Sequence, residues 1–150
     1  MRTELFQYTE IAIPPSLPFP NGQTIYRPYL IADVFGAAAG LSVRCIVWPD
    51  SGADQCVFPL SFASSLGFDP LVMLTQMTGG VGNAGNATYY GDIIIQIPII
   101  DEPPITFTTY AGFTEGLSAQ GIGLLGQSGF FEKFIVAFDH GQRLFRIEAP

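Results

Sequence analysis

The sequence predicts an all-β fold, mainly strands with one or two short helices, and two observations support this class. First, 17 glycines and 12 prolines are distributed over the 150 residues and provide turns at short intervals. Second, 13 Phe and 6 Tyr favour strands over helices. Hydrophobic residues make up 48% of the chain and charged residues 13%, so the chain can bury the core of one domain, and disorder along its whole length is excluded.

The first third of the chain alternates between strand patterns and turn residues. Residues 5–13 predict a strand, which is followed by an extended arm with four prolines that cannot donate to a central ladder. Residues 26–35 and 41–48 predict a hairpin around a Gly- and Ala-rich turn at residues 36–40. The second strand of this hairpin leads directly to Asp50.

The middle of the chain predicts a short helix and a long hairpin. Residues 57–58 continue as a strand, and residues 59–66 predict a helix because Pro59 suits a first helical turn and Gly67 ends it. Residues 71–77 and 88–97 predict two strands joined by a glycine-rich tip.

The last third predicts short elements. Pro103 and Pro104 are expected to break the chain. After them we expect strands over residues 105–110, 122–125, 134–138 and 143–147, with a short helix over residues 126–134.

The charge pattern excludes two classes of partner. The net charge is −7, and the six basic residues are scattered: Arg2, Arg27, Arg44, Lys133, Arg143 and Arg146. Because no basic patch is available to neutralise phosphates, neither nucleic acid nor an anionic membrane surface is an expected partner.

The remaining composition bears on compartment. The longest apolar runs, residues 30–43 and 93–100, are too short or too interrupted to span a bilayer, and the N-terminus does not resemble a secretory signal. Cys45 and Cys56 are too few for a disulfide scaffold and are not spaced as a zinc site. We therefore expect two buried or half-buried thiols in a reducing compartment, which favours a cytoplasmic location without fixing it.

Three features that carry chemistry occur in order along the chain. An apolar strand runs into Asp50-Ser51-Gly52-Ala53-Asp54, a glycine-rich hairpin tip follows about 30 residues later, and Gly123-Leu124-Leu125-Gly126 comes last. This order resembles the retropepsin-like aspartic proteases, whose signature is Asp-Thr/Ser-Gly-Ala, a flap, and two apolar residues followed by Gly. The resemblance covers roughly residues 25–148.

The resemblance implies a fold, an assembly and an activity. The fold is the acid-protease β-barrel, closed or partly open, over residues 25–150, preceded by an N-terminal strand and Pro-rich arm over residues 1–24. Because Asp-Ser/Thr-Gly occurs once in the chain, the second carboxylate must come from a second copy, which predicts a homodimer. A water activated between the two Asp50 carboxylates would then hydrolyse a peptide bond in a peptide or protein substrate. This chemistry requires no metal or organic cofactor.

The resemblance also assigns roles to individual residues. Asp50 is the catalytic carboxylate, and Ser51, Gly52 and Ala53 support its loop. The residues expected at the substrate are Asp54, Gly79, Gly80, Val81, Gly82 and Leu125, with residues 77–88 forming the flap.

Three departures from the family pattern are visible in the sequence. Pro49 precedes the catalytic residue and, lacking an N–H, is expected to distort the loop. Gln127 stands where retroviral relatives place an Arg that pairs with the acid matching Asp54, which predicts a hydrogen bond from Gln127 to Asp54. The segment between residues 97 and 122 is also longer than in the retroviral proteins.

Two other interpretations remain open at this stage. Pro49 motivates a catalytically inactive binding or dimerisation module with the same fold, in which Asp50 is a turn residue. The composition also suits a jelly-roll or other β-sandwich that binds carbohydrate, although such a module gives no reason for the ordered motifs.

Overall fold

The computed structural model describes residues 1–36, 40–78 and 86–150, and these residues are mainly β-strand. The strands are β1 (Arg2–Gln7), β2 (Thr9–Ile13), β3 (Gln23–Arg27), β4 (Leu30–Phe35), β5 (Ser42–Pro49), β6 (Val57–Pro59), β7 (Leu74–Thr78), β8 (Asn86–Ile99), β9 (Glu102–Thr114), β10 (Gly123–Leu125), β11 (Ile135–Asp139) and β12 (Leu144–Ala149). A short α-helix, α1 (Leu60–Ser65), and a 3-10 helix (Glu115–Leu117) complete the described elements. The predicted all-β class with one or two short helices is confirmed.

The chain forms two compact units. The first consists of residues 1–29 and 134–150, and the second of residues 30–133. The second unit contains both the Asp50 motif and the Leu124-Leu125-Gly126 element. The division into an arm over residues 1–24 and a protease domain over residues 25–150 stays a prediction.

The first unit contains two small antiparallel sheets. One has the order β1-β12-β11 and the other pairs β2 with β3. Phe145 of β12 is paired with Phe6 on one side and Phe138 on the other, and its ring stacks on both, with centroid distances of 5.2 Å and 6.0 Å. The single strand expected over residues 5–13 is instead interrupted at Tyr8, whose N–H donates to the Arg143 carbonyl.

The second unit is a β-barrel. Its strands have the order β4-β5-β10-β6-β9-β8-β7, and an additional pairing of β4 with β8 closes six of them into a ring, with β7 outside it. The fully buried side chains that fill this unit include Val34, Val47, Phe58, Ile95 and Phe113. Alternation along the strands explains this core, since successive side chains point to opposite faces. A closed barrel contradicts the alternative of a two-sheet sandwich.

The predicted short helix after Pro59 is confirmed. α1 spans Leu60–Ser65 and is followed by Gly67, whose φ of 86° is the left-handed conformation that ends helices. Ala63 and Leu66 are fully buried, so the helix is held by its contact with the barrel interior.

The expected break at Pro103 and Pro104 is wrong. Both prolines lie within β9, between Glu102 and Ile105, at the point where the pairing with β8 shifts register by one residue. Proline is tolerated at the start of a strand and at a bulge because a ladder bond from its nitrogen is not needed there. The long segment between residues 97 and 122 therefore contains the whole of β9, one of the longest strands described.

The expected helix over residues 126–134 is also wrong. This segment consists of turns in which the N–H groups of Phe131 and Glu132 donate to carbonyls five residues earlier, at Gly126 and Gln127. Gly129 has a φ of 97°, which an α-helix does not accommodate, and its N–H donates to the Glu132 carboxylate at 2.8 Å.

The strand expected over residues 26–35 is divided between β3 and β4. The interruption falls at Pro28, which has no N–H for a ladder bond.

In the described parts of the chain, no helix is long and apolar enough to cross a bilayer.

Candidate active site

The Asp50 loop begins at the end of β5, a strand that lies between β4 and β10 in the barrel sheet. The Asp50 N–H donates to the Leu125 carbonyl at 2.9 Å, which continues the parallel pairing of β5 with β10. The Asp50 carboxylate in turn accepts from the Gly52 N–H at 2.9 Å, and the Ala53 N–H donates to the Asp50 carbonyl at 3.1 Å. In this tight turn the backbone of the loop itself sets the direction of the carboxylate.

Pro49 does not distort this loop. It is buried, ends β5 and pairs with Leu125. Because successive N–H groups of a strand point to opposite edges and the Asp50 N–H points to β10, an N–H at residue 49 would point towards β4. β4 begins at Leu30, which pairs with Val47, so no β4 residue lies opposite Pro49. The missing N–H therefore removes no ladder bond.

Residues 126–128 hold the other side of the loop. The Gln127 N–H donates to the Ala53 carbonyl at 2.8 Å, and the Ser128 N–H donates to the Asp54 carbonyl at 2.9 Å. A Cβ atom at Gly126 would lie 2.2 Å from the Gln55 carbonyl oxygen and 2.8 Å from that of Ala53. The approach of two backbones is thus the physical reason why glycine follows Leu124-Leu125.

The Gln127 side chain has a different partner from the one expected. Its amide donates to the Ser51 carbonyl at 2.8 Å rather than to Asp54. The side chain therefore supports the backbone of the loop one residue after Asp50, and the exposed Asp54 carboxylate stays available at the cavity.

A cavity of about 540 Å³ lies between the Asp50 loop and the β7–β8 hairpin. The loop contributes Asp50, Gly52, Ala53, Asp54 and Gln55 to its lining, and the hairpin contributes Gln76, Asn86, Thr88 and Tyr90. The hairpin pairs in register from Leu74↔Tyr90 to Thr78↔Asn86. A carboxylate on one wall therefore faces a β-hairpin on the other.

The structure brings four of the ten predicted site residues together at the cavity. Asp50, Gly52, Ala53 and Asp54 line the cavity, while Ser51 is exposed and takes part through its carbonyl. Leu125, which we expected at the substrate, is fully buried, and its neighbour Leu124 lines the cavity instead. The predicted flap tip, Gly79, Gly80, Val81 and Gly82, lies outside the described residues.

Some cavity residues were not found by sequence reasoning. Thr114 of β9 is one of these; it pairs directly with Thr88 of β8, which the predicted flap over residues 77–88 did include. Both threonines are almost completely buried and form a polar wall of the cavity. Tyr90 and Gln76 line it further out. The signal that identifies these residues is their strand register, which the sequence alone does not fix.

The charged side chains that line the cavity, and the two cysteines outside its lining, indicate which reactive groups the structure offers. Its charged lining residues are Asp50 and Asp54, both acidic. Burial, and secondarily the charge of Asp33, raises the pKa of Cys45 to about 12, and burial also raises the pKa of Cys56. Both cysteines are free and buried, as predicted, and neither is poised as a thiolate nucleophile. Within the described residues, three or more His, Cys, Asp or Glu side chains do not gather as metal ligands.

The fold and this site define an all-β protein with a closed six-stranded barrel and a carboxylate loop that faces a hairpin across a cleft. No protein-family model and no curated protein sequence matches the chain. Among solved structures, the chain is similar to the crystal structure of a retropepsin-like aspartic protease from Rickettsia conorii, with 22% sequence identity and a TM-score of 0.48. The alignment covers 97% of this chain and 92% of that one.

Proposed function

We propose that the chain is an aspartic endopeptidase of the retropepsin type, in which two Asp50 carboxylates, one from each subunit of a homodimer, activate a water that hydrolyses a peptide bond. The observation that carries this proposal is the Asp50 turn. Its carboxylate is held by the Gly52 N–H at 2.9 Å and lines a cavity of about 540 Å³ opposite a β-hairpin.

The need for a second carboxylate follows from the chemistry. Hydrolysis requires one group to accept a proton from water and another to donate to the carbonyl oxygen of the substrate. Two carboxylates about 3 Å apart cannot both ionise, so the pair holds one proton and supplies both groups. Asp54 does not supply the second carboxylate, since in the family it matches a substrate-binding position; a two-fold dimer supplies a second Asp50 with identical geometry.

The other residues of the loop position the reacting groups. The Gly52 N–H orients the Asp50 carboxylate. Because a Cβ atom at residue 52 would lie 3.2 Å from Asp50 Oδ1, glycine leaves the space next to the carboxylate free. The Ser51 hydroxyl links the two loops across the dimer, Ala53 supports the loop, and Asp54 contacts the substrate backbone. Leu124, which lines the cavity, takes the apolar contact first assigned to Leu125.

The substrate peptide lies in the cleft as an extended strand. The β7–β8 hairpin covers it from one side, and the Asp50 loop forms the floor. Main-chain hydrogen bonds along such a strand provide affinity that is independent of sequence, and the side-chain cavities provide specificity.

The proposal is tested by incubating a diverse peptide mixture with wild type and with Asp50→Asn from acidic to neutral pH. Mass spectrometry then identifies the cleaved peptides. The amide oxygen of Asn still accepts from the Gly52 N–H, so the variant keeps the turn and loses the shared proton. We expect cleavage by wild type and a loss of at least about a thousandfold in the variant, as typically follows removal of a group that acts in the transition state.

Two results would contradict the proposal. Equal cleavage by wild type and Asp50→Asn would exclude Asp50 as the catalytic group. Absence of cleavage by either protein, with an intact dimer in solution, would favour the inactive binding module.

A further inference from the structure

A second cavity of about 350 Å³ continues the Asp50 cavity along the hairpin. It is lined by Gln55, Leu74, Thr75, Gln76, Tyr90 and Tyr110. Three of these residues, Gln55, Gln76 and Tyr90, line both cavities, so the two form one continuous groove. Neither Asp50 nor Gly52 lines the second cavity, which lies away from the reacting carboxylate.

Two stacked tyrosine rings form the aromatic wall of this cavity. Tyr90 pairs with Gly112 and Tyr110 pairs with Asp92, so the tyrosines are diagonal neighbours on one face of β8 and β9. Their ring centroids are 5.6 Å apart with an interplanar angle of 19°. A Cβ atom at Gly112 would lie 3.4 Å from the Tyr90 ring and 2.6 Å from Thr88, so glycine opposite Tyr90 leaves room for this arrangement.

The described residues that line this cavity are all uncharged. Leu74 is 73% exposed and Tyr110 is 46% exposed, which leaves both surfaces open to a ligand. The polar groups of the lining are two glutamines, a threonine and the tyrosine hydroxyls. Burial, and secondarily Tyr110, raises the pKa of the Tyr90 hydroxyl, so this ring is neutral at acidic and neutral pH.

The size of the cavity suits one large side chain. An apolar protein cavity of about 150 Å³ holds benzene, so 350 Å³ accommodates a phenyl, phenol or indole group and the backbone that carries it. Aromatic rings gain from offset stacking in addition to the burial of their surface. An aliphatic or acidic side chain gains no comparable contact from a tyrosine face, whereas a Lys or Arg side chain would gain a cation–π contact instead of a stacked ring.

We propose that this second cavity is a specificity subsite for an aromatic side chain of the substrate, and that Tyr110 determines the preference. The proposal rests on the proposed function, because its occupant is the peptide strand that spans the Asp50 cavity. The aromatic residue belongs to a position of the peptide away from the scissile bond.

The test compares Tyr110→Ala with Tyr110→Phe and with the control Thr108→Ala. Thr108 is exposed on the same face of β9, two residues away, and does not line the cavity. The substrates are peptide pairs that differ by Phe against Ala at one position at a time. We expect wild type to favour Phe at one position by about threefold to tenfold in kcat/KM, mainly through KM. Tyr110→Ala should lose this preference, while Tyr110→Phe and Thr108→Ala retain it.

A binding measurement with the same peptides on Asp50→Asn separates the two proposals. If wild type cleaves no peptide but Asp50→Asn binds Phe-containing peptides more tightly, and Tyr110→Ala in that background loses the difference, the subsite stands and the proteolytic function fails. If wild type cleaves without preference for Phe, or if Tyr110→Ala keeps the preference, the subsite is overturned and the protease stands. Absence of both cleavage and binding overturns both.

Discussion

At the scale of single residues, the direction of the Asp50 carboxylate depends on short hydrogen bonds on both sides of the loop. Gly52 holds the carboxylate itself, while the backbone of Gln127 and Ser128 holds Ala53 and Asp54. The Gln127 side chain adds one more bond, to the Ser51 carbonyl. Because both Gln127 and Ser51 are exposed, this bond contributes to positioning more than to the stability of the folded chain.

We therefore predict that Gln127→Ala lowers kcat by about twofold to tenfold, the equivalent of one hydrogen bond that orients the loop. KM and the Tm should change little, because the Gln127 N–H still donates to Ala53. Steady-state kinetics and thermal unfolding measure these quantities, with the exposed Gln120→Ala as control. An unchanged kcat would show that the loop is held by its backbone bonds alone.

Single residues also show which parts of the site can be predicted from the sequence and which cannot. The Asp50-Ser51-Gly52 order is local, and in the structure it forms a tight turn. The choice between Leu124 and Leu125 depends on which face of β10 points to the cavity, and a shift of one residue reverses it. The partner of Gln127 depends on how two loops distant in the sequence meet, which no local pattern specifies.

At the scale of secondary structure elements, the junction of β10 with the Asp50 loop is the tightest contact in the site. Gly126 is there because the Gln55 and Ala53 carbonyls occupy the space that a side chain needs. The same glycine follows directly after Leu125, whose carbonyl accepts from Asp50. A change at Gly126 therefore displaces the loop and the strand together.

Gly126→Ala should destabilise the protein by about 3 kcal/mol, the upper part of the range for overpacking a filled site. For a chain of this size we expect the Tm to fall by roughly 10 °C. Thermal unfolding measures the change, with Gly141→Ala as the matched control. A Cβ atom at Gly141 meets its nearest neighbour, Asp139 Oδ1, at an ordinary 3.5 Å, so that variant should stay close to wild type. Similar Tm values for both variants would contradict the close approach at Gly126.

Elements were predictable where a local signal fixed them. α1 follows from Pro59 and Gly67, and the terminal hairpin of β11 and β12 follows from its apolar pattern. The missing helix over residues 126–134 depends on Gly129, whose left-handed backbone lies beside Thr109 of a distant strand. β9 passes through two prolines because they lie in the bulge of this strand, where ladder bonds from their nitrogens are not needed.

At the scale of the whole molecule, barrel closure and assembly go beyond what local patterns specify. The pairing of Val34 with Ile95 joins strands about 60 residues apart and converts an open sheet into a ring. The sequence indicates the class of fold through the family resemblance, but the register of this closing pair is decided by how the core packs.

The proposed dimer predicts an activity that depends on concentration. Because each site needs two chains, specific activity should fall on dilution below the dimer dissociation constant, and an excess of Asp50→Asn should inhibit wild type by forming mixed dimers. Activity assays over a dilution series, with sedimentation to follow the oligomer, measure both effects. Specific activity that stays constant while the protein dissociates would assign catalysis to the single chain.

The position of β7 outside the closed ring has a consequence for the evolution of this molecule. Among the described strands, β7 pairs with β8 alone, and Leu74 and Met77 are 73% and 66% exposed. Substitutions on this strand change the wall of the groove while the six barrel strands keep their pairing and their core. Under the proposed function, substrate preference can therefore diverge between descendants of this sequence at little cost in folding. Gly126 and the Asp50 turn are constrained both by folding and by the proposed catalysis.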